Sequence, residues 1–171
     1  MGDNGHGGVM KAREFVYELH IHPLALMYQG AMTQTIDDIL SDFELFDDWD
    51  DRYRYLIDLG RHLDPLPESS KGEANKVRGC ASQVWLETRR VTGSDGKTRL
   101  LFKGDSDAHI VKGLVALILA LFDRKTAQEI LTTNAEDVFG KLQLAQHLSA
   151  QRANGVRAMV ERIKAEARAT A

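Results

Sequence analysis

From Thr35 onward the apolar residues recur at helical spacing. Ile36, Ile39, Leu40 and Phe43 lie three and four positions apart, which predicts a first amphipathic helix. Thr35 with Asp38 three residues on predicts its N-terminal capping box, with Asp in place of the usual Glu. Asp47, Asp48, Asp50 and Asp51 cluster around Trp49 and open a second helix, where negative charge suits the positive end of the helix dipole. That helix is expected to run to about Leu63 with Trp49, Tyr53, Leu56, Ile57 and Leu63 on its inner stripe. Asp64-Pro65-Leu66-Pro67 stops it, and the polar linker to Ala74 reads as mobile. Residues 84–91 and 98–102 read as two strands joined by the hairpin turn Gly93-Ser94-Asp95-Gly96. Lys76-Val77-Arg78 is expected to supply a third strand. Residues 107–122 form the most apolar helix, capped by Ser106 or Asp105, and a helix of that kind must be covered on most sides. It should be the spine of the core, with His109 a surface residue of its first turn. Short helices follow at 126–132 and within 136–148. A terminal amphipathic helix at 152–169 turns Val156, Met159, Val160 and Ile163 inward. The expected class is α+β: a small antiparallel sheet of about three strands packed against several helices.

Composition narrows the partners more than the fold. The chain has 171 residues, 43% apolar and 27% charged, the profile of one globular domain. A net charge of −3 gives no general attraction to nucleic acid or an anionic membrane. The longest apolar run, residues 114–122, is far too short to span a bilayer. Residues 1–31 differ from the rest: glycine-rich at the start, without a clear period, and lacking the Lys-Ser/Thr ending of a phosphate loop. They read as an N-terminal extension, disordered or loosely attached, with residues 32–171 as the single working domain. His20 and His22 flank Ile21, but with no further ligand nearby they read as solvated. The aspartates around Trp49 lack the spacing of a calcium loop. No metal site is expected.

Candidate chemistry concentrates on the one cysteine. Cys80 sits between Gly79 and Ala81, in the turn between the expected strand at Lys76-Val77-Arg78 and the one that follows. Glycine permits a tight backbone turn there. Lys76 and Arg78 are close in sequence, and positive charge nearby favours thiolate over thiol. The same residue also fits the ordinary reading of a free cysteine as a small buried hydrophobe, since no spacing assigns it a catalytic His or Asp. A single cysteine forms no internal disulfide and supplies too few ligands for an iron–sulfur cluster or a structural zinc. With no secretory leader apparent, a reducing cytoplasm is the expected compartment.

Asn75-x-Val77-x-Gly79-Cys80-x-Ser82-Gln83-Val84-Trp85 resembles the signature of the SufE family, which includes the closely related CsdE proteins. Gly104-Asp105-Ser106-Asp107-Ala108 with Ile110-Val111-Lys112-Gly113-Leu114 is similar to the family's second block. Gln146-His147-Leu148, Arg152 and Gly155 resemble the third. The resemblance runs from about Thr35 to Ala167. It implies a SufE/IscU-like fold and a sulfur acceptor without a cofactor of its own. The implied partners are a pyridoxal-phosphate cysteine desulfurase of SufS or CsdA type and a SufBCD-type scaffold. In that scheme Cys80 is the persulfide acceptor, Gly79 gives its loop freedom, and Ser82 and Gln83 anchor the far side. The cysteine would be tucked against apolar surface at rest and swing out on docking. Arg152 would assist thiolate formation or partner contact, or else be a surface residue at a helix start. Asp107 would cap the core helix and border the docking face. The alternative is a non-catalytic allosteric activator of a desulfurase that carries no sulfur.

Overall fold

Helix α1 (Ile36–Glu44) opens with the expected capping box: the Thr35 side chain accepts from the Asp38 N–H, and the Asp38 carboxylate accepts from the Thr35 N–H at 2.9 Å. The computed structural model describes residues 34–171. The expectations for residues 1–31, His20 and His22 included, therefore lie outside the described residues. Helix α2 (Trp49–Arg61) is capped by Asp48, which accepts from the Asp51 N–H at 2.9 Å, and it ends slightly earlier than expected. Its buried residues are Leu56, Leu59 and Gly60; Trp49, Tyr53 and Ile57 are only half-buried.

Strands β1 (Val84–Thr92) and β2 (Thr98–Ser106) pair antiparallel over their whole length, Val84 opposite Ser106 and Thr92 opposite Thr98. The turn between them needs Gly96, whose φ is +72°. Strand β2 runs four residues past its expected end. Gly104 makes this possible, because any side chain there would collide with Val115 of the helix lying across the sheet. The third strand is not Lys76-Val77-Arg78. It is β3 (Lys125–Thr126), paired antiparallel with Arg99 and Leu100 of β2, in the order β1-β2-β3. The segment before Cys80 keeps one bridge, Lys76 to Trp85, because Gly79 turns the backbone out of the strand conformation at φ +93°.

Helix α3 (His109–Phe122) is buried along nearly its whole length. Its side chains reach the sheet on one side, and α2 and α7 (Ala150–Arg168) elsewhere. It starts two residues later than expected, and neither Ser106 nor Asp105 caps it: Ala108 holds the cap position without a side-chain bond. Between α3 and α7 lie α4 (Ala127–Thr132), α5 (Ala135–Lys141) and α6 (Leu144–His147). Val156, Met159, Val160 and Ile163 of α7 are buried, as their spacing implies. The α+β class holds, with its three-stranded sheet and surrounding helices.

The linker expected to be mobile is pinned. Leu66 is 3% exposed, Glu68–Ser70 forms a single 3-10 turn, and the Asn75 side chain donates to the Ser70 carbonyl at 2.8 Å. Polar composition suggested looseness, but these polar groups bond to their own backbone and to the sheet.

Helices α2 and α3 approach so closely that Gly60 and Gly113 face each other's backbone. A Cβ on Gly113 would run into the Leu56 carbonyl, and one on Gly60 would lie 2.6 Å from the Gly113 nitrogen. Backbone on both sides cannot yield as a side chain can. Gly113→Ala is therefore expected to destabilise the domain by about 3 kcal/mol or more, the upper end for overpacking. Urea unfolding measures it.

Candidate functional site

The loop that carries Cys80 is closed at its base by backbone bonds on both sides. The Val77 N–H donates to the Val84 carbonyl at 2.9 Å, and the Leu86 N–H donates to the Asn75 carbonyl at 2.7 Å. Val77 is buried, which anchors the entering segment in the core. Gly79 then turns the chain in the left-handed region, where other residues are strained, and Cys80 follows at the tip.

The far side is held by Asp107, though not in the expected manner. Asp107 does not cap the core helix. Its carboxylate accepts from the Gln83 N–H at 3.0 Å, and its own N–H donates to the Gln83 carbonyl at 3.3 Å. The Ser106 hydroxyl donates to the same carbonyl at 2.8 Å. Gln83 is thus fastened through its backbone, while its side chain is exposed. Asp107 is also exposed, on the rim of the loop.

The next carboxylate back has the opposite fate. Asp105 is 4% exposed and lies between two ammonium groups, Lys112 Nζ at 3.1 Å from Oδ1 and Lys71 Nζ at 3.4 Å from Oδ2. Burial pushes its carboxyl up, but the Lys112 ammonium, the Ser106 N–H and Lys71 outweigh burial, and the net shift is downward. Lys71 also bonds Glu68 at 2.8 Å and stands over the Trp85 ring. Asp105 therefore ties three pieces together: the linker through Lys71, the start of α3 through Lys112, and the end of β2.

The thiol itself is half-buried. Its Sγ lies 3.7 Å from the Gly155 carbonyl of α7, a weak S–H donor contact. Beside it is a cavity of about 20 Å³ lined by Cys80, Ala81, Ser82, Val111, Leu114, Gln151, Arg152, Gly155 and Met159. Burial alone pushes the Cys80 thiol up from its ordinary value. The electropositive loop expected from Lys76 and Arg78 is not what surrounds the sulfur. Glu73 takes both cations, Lys76 at 3.4 Å and Arg78 at 3.2 Å, and Arg78 points into solvent. The sulfur lies beside apolar side chains that disfavour its charged form.

Of the residues singled out in the sequence, Cys80, Ser82 and Arg152 line one cavity, while Gly79, Gln83 and Asp107 shape the loop around it. Arg152 is half-buried in the first turn of α7. Sequence reasoning missed Val111, Leu114 and Met159, which present apolar surface to the thiol but look like any other core positions in a helical pattern. It also gave no role to Gly155. An isolated glycine inside a helical run was the available signal. Among the described residues no group of three or more His, Cys, Asp or Glu side chains could hold a metal ion, and no helix is long and apolar enough to cross a membrane.

Because the tucked site raises the thiol's pKa, the tucked state holds its proton more tightly than the released state does. Its stability is full below the released thiol's pKa, about 8.5, and is lost as pH rises through the tucked value. Alkylation of Cys80 by iodoacetamide should accordingly show a midpoint above 8.5 in the free protein, against ~8.5 in a peptide spanning the loop. Asp107→Ala removes one bond fastening the loop, worth about 1 kcal/mol, so alkylation at fixed pH should rise about fivefold. Asp107→Asn, which keeps the acceptor, should change it far less.

Comparison with known proteins gives a consistent result. The family model for SufE, the Fe-S metabolism associated domain, matches residues 37–167. An uncharacterized SufE-like protein of Rhizobium meliloti is 55% identical over 133 residues, covering 78% of this chain and 94% of its own length. An uncharacterized SufE-like protein of Rhizobium etli is 50% identical over 137 residues, 80% of this chain and 92% of its own. Among solved structures, the solution structure of a hypothetical protein from Thermus thermophilus superposes with a TM-score of 0.59 at 19% identity. That match spans 79% of this chain and 94% of the other, and is a likeness of fold.

Proposed function

The chain belongs to the SufE family, whose domain is associated with Fe–S metabolism, and on that premise we propose that Cys80 is a persulfide acceptor serving a cysteine desulfurase. The observation that carries this reading is the placement of Cys80: the chain's single thiol, at the tip of a short loop fastened at both ends, half-buried beside apolar side chains.

The chemistry needs one sulfur on each side. A desulfurase presents a cysteine persulfide, Cys–S–SH. The Cys80 thiolate attacks the outer sulfur, a new S–S bond forms at Cys80, and the bond to the donor's cysteine sulfur breaks. The donor leaves as thiolate and takes up the proton that Cys80 gave up. No net oxidation occurs, because the sulfane sulfur is passed on at the same oxidation level. A resolving cysteine would collapse the product into an internal disulfide, so a single thiol suits a carrier.

The seat sets when this happens. In place, the thiol is protonated and therefore a poor nucleophile. Lifted out of its apolar surroundings it recovers an ordinary pKa and a larger thiolate fraction. Docking that displaces the loop thus activates the nucleophile and exposes it in one movement. Arg152 lines the vacated cavity and is the cation positioned to meet either the emerging thiolate or the partner. The onward acceptor in this scheme is a SufBCD-type scaffold and the donor a SufS- or CsdA-type enzyme. Residues 32–171 are the working domain, and residues 1–31 an extension outside it.

Incubation with a pyridoxal-phosphate cysteine desulfurase and cysteine should add the mass of one sulfur atom to Cys80, removable by thiol reductant. Cys80→Ser should keep the fold and lose both the adduct and stimulation of the desulfurase. Full stimulation by Cys80→Ser, with no adduct on the wild type, would instead identify an allosteric activator that carries no sulfur.

A further inference from the structure

We infer that Gly155 is a positioning residue for the nucleophile: the side chain missing at 155 is the space in which the Cys80 sulfur rests. The inference rests on Cys80 being the working thiol and adds what holds it in reserve. A Cβ built on Gly155 would lie 3.3 Å from Cys80 Sγ and 3.7 Å from both its Cα and its Cβ. The contact with sulfur is the tight one; those with the other two atoms are ordinary. Gly155 also presents the carbonyl that Sγ approaches at 3.7 Å. One residue therefore supplies both the room and, among the described residues, the thiol's hydrogen-bond acceptor.

Glycine at this place runs against the local rule. Residue 155 lies inside α7, where alanine forms helix better than glycine. Its neighbours Val156 and Met159 bury themselves in the core, so the helix has no freedom to retreat. The loop does. Arg78, Gly79, Ala81 and Gln83 are exposed, and the S–H contact is weak. When a methyl group is placed at 155, the loop is the side that moves. The charged side chain that lines the cavity is Arg152 on α7, while Arg78 on the loop is exposed and paired with Glu73; neither has to move for the methyl to act.

The contrast within the molecule is Gly140. It lies in α5, is exposed, and a Cβ there meets nothing within 4 Å. Gly140→Ala should improve its helix and leave the thiol untouched.

The experiment uses the full chain without any partner, so that its outcome is independent of whether sulfur transfer occurs. Iodoacetamide alkylation of Cys80 is followed in the wild type, Gly155→Ala and Gly140→Ala, with melting temperature measured alongside. The expected result is an alkylation rate at least fivefold higher for Gly155→Ala, a pH midpoint moved down toward that of a free thiol, and no change for Gly140→Ala. A double-mutant cycle separates seating from helix propensity: in a Cys80→Ala background, where the sulfur is gone, Gly155→Ala should raise the melting temperature more than it does beside the native cysteine. Wild-type alkylation kinetics in a folded Gly155→Ala protein would overturn the inference. So would failure of Gly155→Ala to fold, because the loop would then not be the part that yields. A sulfur adduct that never forms on Cys80, with these kinetics as expected, would sink the acceptor reading and leave the seat standing.

Discussion

A thiol and a thiolate need opposite surroundings, and the structure depends on that opposition. Neutral sulfur is stable against apolar side chains; the anion is not, because burial withdraws the water that would solvate its charge. By resting Cys80 on Val111, Leu114 and Met159 the fold selects the unreactive form. The polar contacts that hold the loop there are few. The polar contact to Gly155 is weak, the cations of the loop are drawn off by Glu73, and the fastening at Asp107 lies on the rim in water.

The rigid part is correspondingly rigid. Helix α3 is apolar nearly all round, and its burial gathers the sheet, α2 and α7 into one core. Two glycines let α2 and α3 meet backbone to backbone, and Gly104 lets the sheet meet α3. Asp105, a buried charge, would be costly alone. Flanked by Lys71 and Lys112 it becomes a three-way tie that fixes the segment leading into the loop.

How much of this could be read from the chain depends on the range of the forces involved. The capping box at Thr35, the acidic start of α2, the hairpin and the inward face of α7 rest on contacts between residues three or four apart or across one turn, and pattern alone predicts them. The misassigned third strand has a different origin. Lys76-Val77-Arg78 has strand character, but Gly79 turns the backbone away, and a two-residue strand at Lys125 is too short to leave a period. The linker looked mobile because its anchor at Asp105 is a tertiary contact, and the local bond of Asn75 to Ser70 leaves no hydrophobic period. Charge close in sequence to Cys80 implied an electropositive loop, but Glu73, only three residues from Lys76 and five from Arg78, pairs with both. Asp107 reads as a helix cap in the sequence because its actual bond, to Gln83, spans 24 residues.

The fastening of the loop also sets a tether. Cys80 lies three residues from Val77 on one side and from Gln83 on the other, and three extended residues span about 10 Å. With its base fixed, the sulfur cannot travel farther than that from the domain surface. It is suited to meeting a partner group at or near that partner's own exterior and not to probing a deep cleft. Any molecule that reacts with this thiol must therefore bring its reactive atom most of the way, on an arm or a shallow rim of its own.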